Sequence, residues 1–264
     1  MYKSVIFTNA SYIGNAGDFW ASPLHYYSFP FRVEHLHYMD IVRDIEKGKL
    51  EKYKNRKIVI GGGGMLNQDG NRLNKTLKFL IKNNLVILWG MGSNSLGEYS
   101  WNIMDHPNIV LKGIRDYVKE IDEAYYLPCV SCKHELFKRI TDNEPKEDLG
   151  LLEHSYYRIN LPEIPSIVHD KSISEFLDFI SKHKRLVSST YHGIYWSQLL
   201  KKEVAYYSGS HLINSKITNL KYPIHVVTNK NLKNWNSDSS KYDTYLDECI
   251  ELNDKFYERV LELF

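Results

Sequence analysis

A chain of 264 residues, 43% hydrophobic and 25% charged, can bury a sizeable core, and this balance argues against disorder and against a membrane-spanning protein. The formal charge of +2, with no block of Lys or Arg, gives no case for nucleic acid, although scattered lysines suit small anionic ligands. No apolar run reaches bilayer length and the start, MYKSVIFTNASYIGN, turns polar too soon for a signal peptide, so a cytoplasmic protein without an integral membrane segment is expected.

The first strand is expected near 3–8, followed by SYIGNAGDFW, in which Asn15, Gly17 and Asp18 open a helix near 19–28. His35 and His37 would share one face of a strand, but two histidines alone make no metal site. KIVI (57–60) suits a strand covered on both faces, and Gly61 to Gly64 follow it directly. A turn needs only two glycines. Four, at the carboxyl end of a buried strand, let backbone amides approach an anion, so Gly62, Gly63 and Gly64 are candidate ligand contacts. The loop is neither a dinucleotide fingerprint, since Leu66 or Asn67 stands where the third glycine belongs, nor a P-loop, which needs Lys followed by Ser or Thr. After a helix near 71–83, LVILWGMGSNSLG repeats the design with a strand at 85–89, then Gly90 and Gly92, and Ser95 in the last glycine's place.

Strands are expected near 108–113, 124–127, 148–153, 165–169, 185–189, 203–207 and 224–227. Between them lie helical patterns near 115–121, 132–140, 173–183 and 191–201, with a long amphipathic one from about 242 to the end. Such alternation implies parallel sheets with crossover helices. TDNEPKED (141–148) is the best linker, which divides the chain into two Rossmann-like domains, 1–142 and 143–264, with a cleft between them and the terminal helix bracing back. LPCVSC holds a C-x-x-C, Cys129 and Cys132. With no second pair or H-x-x-x-H to complete a zinc set, these and Cys249 read as structural thiols without metal. The 20 tyrosines, often paired as in Tyr125–Tyr126, read first as packing and second as a sugar platform.

Ligands of open parallel sheets sit beyond the carboxyl ends of strands. Arg115 follows the fourth strand and His192 follows RLVSS, whose Ser188 and Ser189 join the candidate contacts. The bland readings are a helix cap for Asn15 to Asp18, a surface pair for Arg115 and Asp116, and a packing role for His192.

In order, NAGD, IGGGGMLNQD, WGMGS, GIRD and SSTYHGIYWSQLL resemble the polysaccharide pyruvyl transferase family, over residues 15 to Lys216. The resemblance implies an α/β, GT-B-like fold with two Rossmann-like domains and mainly parallel sheets. It also implies transfer of the enolpyruvyl group of phosphoenolpyruvate to a sugar of a cell-surface glycan, as a ketal, with release of phosphate. By resemblance His192 is the general acid or phosphate ligand, Arg115 grips the donor, and Lys216 joins the substrate contacts. No metal or organic cofactor is implied; the partners would be the small anionic donor and a glycan or lipid-linked sugar at the inner face of the membrane. Thr190 stands where many members have Arg in S-x-R-x-H, and LPCVSC where many have D-P-A. The alternatives are a GT-B-like glycosyltransferase using a nucleotide sugar, which would want a further acidic residue or base pocket, and a noncatalytic glycan-assembly protein.

Overall fold

The computed structural model describes residues 4–9, 15–66, 72–93, 101–117, 124–140, 145–155, 158–159, 161–208, 217 and 219–264. They form two parallel sheets. The first comprises β1 (Val5–Asn9), β2 (Val33–His37), β3 (Lys57–Gly61), β5 (Leu85–Ser93), β6 (Ile109–Ile114) and β7 (Ala124–Tyr126), in the order β2-β1-β3-β5-β6-β7, with the short β4 (Gly64–Leu66) on β5. The second runs β12-β11-β10-β8-β9, from β8 (Glu147–Glu153), β9 (Ser166–Val168), β10 (His183–Ser188), β11 (Glu203–Tyr207) and β12 (His225–Val227).

Apolar runs set the central strands. Val5, Ile6 and Phe7 pair in parallel with Val33 to His35 on one side, while Ile6 to Thr8 pair with Ile58 to Ile60 on the other. All of Ile58, Val59 and Ile60 are fully buried, as a strand covered on both faces requires. One face packs against α2 (Tyr38–Glu46) and α3 (Arg72–Asn83) through Ile41, Leu77 and Leu80. On the other, Phe7, Val59 and Trp89 meet Phe256 and Val260 of the terminal helix α7 (Tyr245–Glu262). Farther back along α7, Tyr245, Leu246 and Cys249 join the core of α5 (Ile173–Lys182) and α6 (Tyr191–Leu199). One helix thus packs against both sheets, fixed by Asn253, which accepts from Trp89 Nε1 at 3.0 Å and donates to Pro128 O at 3.2 Å.

Differences from the sequence reading have local causes. Residues 19–28 do not form a helix: α1 (Ala16–Phe19) is a single turn, and Pro23–His25 is a 3-10 turn. Arg115 to Tyr117 are not helical, and the rest of 115–121 lies outside the described residues. Residues 132–140 divide into a 3-10 turn, Val130–Lys133, and α4 (Leu136–Ile140). Strand β8 begins at Glu147, inside the segment read as linker.

In both sheets the first strand of the series sends the chain to one side and then to the other: β1 is flanked by β2 and β3, β8 by β9 and β10. Loops leaving such neighbours diverge and open a crevice at the carboxyl ends.

Candidate functional site

The two crevices meet. A cavity of about 190 Å³ is lined from the first sheet by Asn15, Asp18, Tyr38, Met39, Gly64, Met65, Leu73 and Arg115, and from the second by His154, His169, Thr190, Tyr191 and His192. The strand-end rule explains most of these. Asn15 lies in the β1–α1 connection, Tyr38 directly follows β2, Gly64 and Met65 follow β3, Arg115 follows β6, His154 follows β8, His169 follows β9, and Thr190 to His192 follow β10.

Arg115 is only 4% exposed. Its guanidinium carbon lies 3.9 Å from the centroid of the Tyr191 ring, while Gly92 presses against its stem: a Cβ at Gly92 would come within 2.3 Å of Nε. The buried Nε has no hydrogen-bond partner among the described residues. Asp116, beside it, is buried too and turns Oδ2 to the amide of Ser93. The pair is therefore not at the surface, and among the described residues no ion pair at salt-bridge distance joins it.

His192 sits in the first turn of α6, behind the Thr190 N-cap, whose hydroxyl accepts from Gly193 N at 2.9 Å. Its ring stacks near His169 (5.9 Å between centroids, 24° between planes) and tilts against Trp196 at 5.3 Å. Gly17 makes room for it, since a Cβ there would lie 2.1 Å from Nδ1. The other nitrogen, Nε2, lies 3.5 Å from Cys129 Sγ.

The remaining predicted residues divide. Asn15 and Asp18 line the cavity, and Asn15 is also the cap of α1, accepting from Asp18 N at 3.2 Å. Gly64 lines it as well. Gly62 and Gly63 shape the turn instead: both take positive φ, and Gly62 packs against Ala21, where any side chain would strike backbone. Ser188 is fully buried and turns its hydroxyl into the β10–α6 turn, accepting from Thr190 N at 3.0 Å, so it shapes the site rather than facing a ligand. Ser189 accepts from His154 N at 3.0 Å and so ties the ends of β8 and β10 together. Gly92 supports Arg115. Lys216 lies outside the described residues.

Sequence reasoning missed Tyr38, Met39, Met65, Leu73, His154, His169 and Tyr191. The rule that found His192 also finds His154 and His169, because each directly follows a strand. Among the described residues, no group of three or more His, Cys, Asp or Glu is placed to hold a metal ion, and no helix is long and apolar enough to cross a membrane.

Burial pushes the Asp116 carboxyl up to about 6, against the pull of Arg115 and the Ser93 amide. A carboxyl whose folded value exceeds its unfolded one binds protons more tightly in the folded state, so its ionisation lowers stability as pH rises from about 4 to about 6. Asp116→Asn keeps an oxygen for the Ser93 amide and removes that loss. Relative to the parent, the variant should gain stability between pH 4 and 7, by up to about 3 kcal/mol, in urea unfolding at a series of pH values. A difference that does not change with pH would refute the assignment.

No family model matches the chain, and no curated protein matches it. The chain is similar to the crystal structure of an uncharacterized protein from Klebsiella pneumoniae subsp. pneumoniae NTUH-K2044, with 15% sequence identity and a TM-score of 0.50, over 85% of this chain and 93% of that one. At that identity the likeness bears on fold alone, and it agrees with an α/β protein of mainly parallel sheets.

Proposed function

We propose that the chain is a transferase that takes a small anionic donor, phosphoenolpyruvate, and moves its enolpyruvyl group to a sugar hydroxyl of a glycan or lipid-linked acceptor. Arg115 carries this reading: a buried guanidinium stacked on Tyr191 lines the same cavity as His192. Burying a cation is costly, and a carboxylate or phosphate in the cavity would offset that cost. The first turn of α6, entering at Thr190 and Tyr191, adds the positive end of a helix.

In the reaction the oxygen of the first acceptor hydroxyl bonds to the enol carbon as the methylene takes a proton from His192 to become a methyl, and the proton of that hydroxyl passes to the ring that has just given one up. The phosphate then departs, with the proton of the second hydroxyl, as that hydroxyl closes the ketal. His192 supplies the proton as an imidazolium, a competent donor near neutral pH. Arg115 holds the donor anion throughout. The cavity, at about 190 Å³, favours this donor over a nucleotide sugar, since sites for larger ligands occupy roughly 300–1,000 Å³.

Thermal stabilisation separates the two. Phosphoenolpyruvate at about a hundred times its dissociation constant should stabilise the protein by roughly 2.7 kcal/mol, several degrees in Tm, while a panel of nucleotide sugars leaves Tm unmoved. A shift with a nucleotide sugar and none with phosphoenolpyruvate would transfer the site to glycosyl chemistry.

A further inference from the structure

Beside the donor cavity lies a second space that the proposed chemistry leaves unused. It is a groove of about 460 Å³, within the roughly 300–1,000 Å³ of sites for small organic ligands. Asn15 lines both spaces, and the wall between them is thin: Ala16 N donates to His169 O at 3.4 Å, with His169 on the cavity side and Ala16 and Asp170 on the groove side.

One wall of the groove is aromatic. Phe19 is left 46% exposed, and the Trp20 ring stands edge-on both to it (5.2 Å between centroids, 86° between planes) and to His134 (4.5 Å, 88°). The backbone beneath is fixed, because His25 Nε2 donates to Phe19 O at 3.0 Å and the Tyr26 hydroxyl donates to Trp20 O at 3.1 Å. Burial holds His134 below the usual histidine value, so near neutral pH it adds an uncharged ring to the wall. The opposite wall is polar. Asp170, Lys171 and Ser174 lie exposed there, a carboxylate, an ammonium and a hydroxyl, while the Ser172 hydroxyl is already taken as the cap of α5, accepting from Glu175 N at 3.2 Å.

An aromatic wall opposite a mixed polar rim suits a neutral ring that carries hydroxyls, since its C–H face packs on the aromatics while its hydroxyls reach the rim. An anion finds no net charge here, because Asp170 offsets Lys171. We infer that this groove is the acceptor subsite, holding a hexopyranose whose hydroxyls abut the donor cavity. The inference rests on the transfer reading of that cavity. Because a ketal takes two hydroxyls of one sugar, the sugar held here is unsubstituted at a neighbouring pair of them.

The test uses the full chain and three probes, the methyl β-pyranosides of galactose, glucose and mannose. In saturation-transfer NMR at least one should bind, with saturation greatest on its ring C–H protons, and Phe19→Ala should weaken that binding by about 2- to 12-fold, the range for a packed aromatic contact. Phosphoenolpyruvate affinity and Tm should stay at the parent values, since Phe19 is exposed and lies outside the donor cavity. Ser174→Trp, which fills the groove from the exposed first turn of α5, should abolish glycoside binding and leave the aromatic wall intact. Uridine monophosphate should not displace the glycoside. Failure of all three probes to bind, binding unchanged in either variant, or displacement by uridine monophosphate, which would make the groove a base pocket, overturns the inference. The two readings fail separately. A glycoside bound as expected with no phosphoenolpyruvate bound keeps the groove and refutes the donor, while phosphoenolpyruvate bound with no glycoside keeps the donor and refutes the groove.

Discussion

Arg115→Met should weaken phosphoenolpyruvate binding by about 10- to 150-fold, the value of 1.5–3 kcal/mol for hydrogen bonds to a charged group, while the ligand-free protein melts no lower than the parent. The two halves of this result have one cause. The guanidinium is buried against Tyr191 and over Gly92, and its Nε lacks a partner among the described residues. A cation so placed is desolvated without full compensation, and a methionine of similar length fills the space at no such cost. Arg115→Lys should also lose affinity, because an ammonium reproduces neither the flat contact with Tyr191 nor the fork. Calorimetric titration and melting of the three proteins check this. An arginine kept for packing predicts the opposite, a lowered Tm with any loss of affinity following from it.

The sequence made Arg115 visible by position but not by environment. Strand β6 was legible from its apolar run, and the rule that ligands gather at carboxyl ends led to the residue after it. Nothing in GIRDY says that the guanidinium turns inward, because that depends on Gly92, distant in sequence, leaving room. The same limit misread Ser188: a hydroxyl at the end of β10 looks like a ligand contact until the turn behind it takes the oxygen for Thr190 N. Edges were harder than centres. VEHLH forms β2 with most of its side chains only half-buried, so it offers no apolar run to read, and the three residues of β4 are too few for any pattern. Helix α6 is buried on all sides and lacks an apolar stripe; its start is legible only from Thr190 as cap. In FWASPLHYYS (19–28), where a helix was expected, Pro23 begins a separate 3-10 turn after the single turn of α1. The alternation that implied parallel sheets survived all of this, since it depends on buried central strands rather than on element ends.

His192→Asn should lower turnover by about 10²- to 10⁴-fold while phosphoenolpyruvate affinity stays within a few-fold of the parent. Asparagine keeps an amide N–H near the position of ring Nδ1, so it can hold an anion, but it has no proton to surrender near neutral pH. Binding and proton transfer are thereby separated in one side chain. His192 is 4% exposed, and Asn leaves a small gap beside Trp196 and His169, so some loss of Tm is expected without loss of fold. A packing histidine predicts a different order of events, with Tm falling first and activity only in proportion. The neighbouring histidines supply the control. His169→Asn alters a ring stacked on Trp196 at 6.0 Å and should disturb Tm more than chemistry, because the proton in this mechanism comes from His192. Single-turnover transfer to an acceptor sugar, measured beside calorimetric affinity, reads both quantities. Near-normal transfer by His192→Asn would remove His192 from the chemistry, and a deeper loss in His169→Asn would move the proton to that ring.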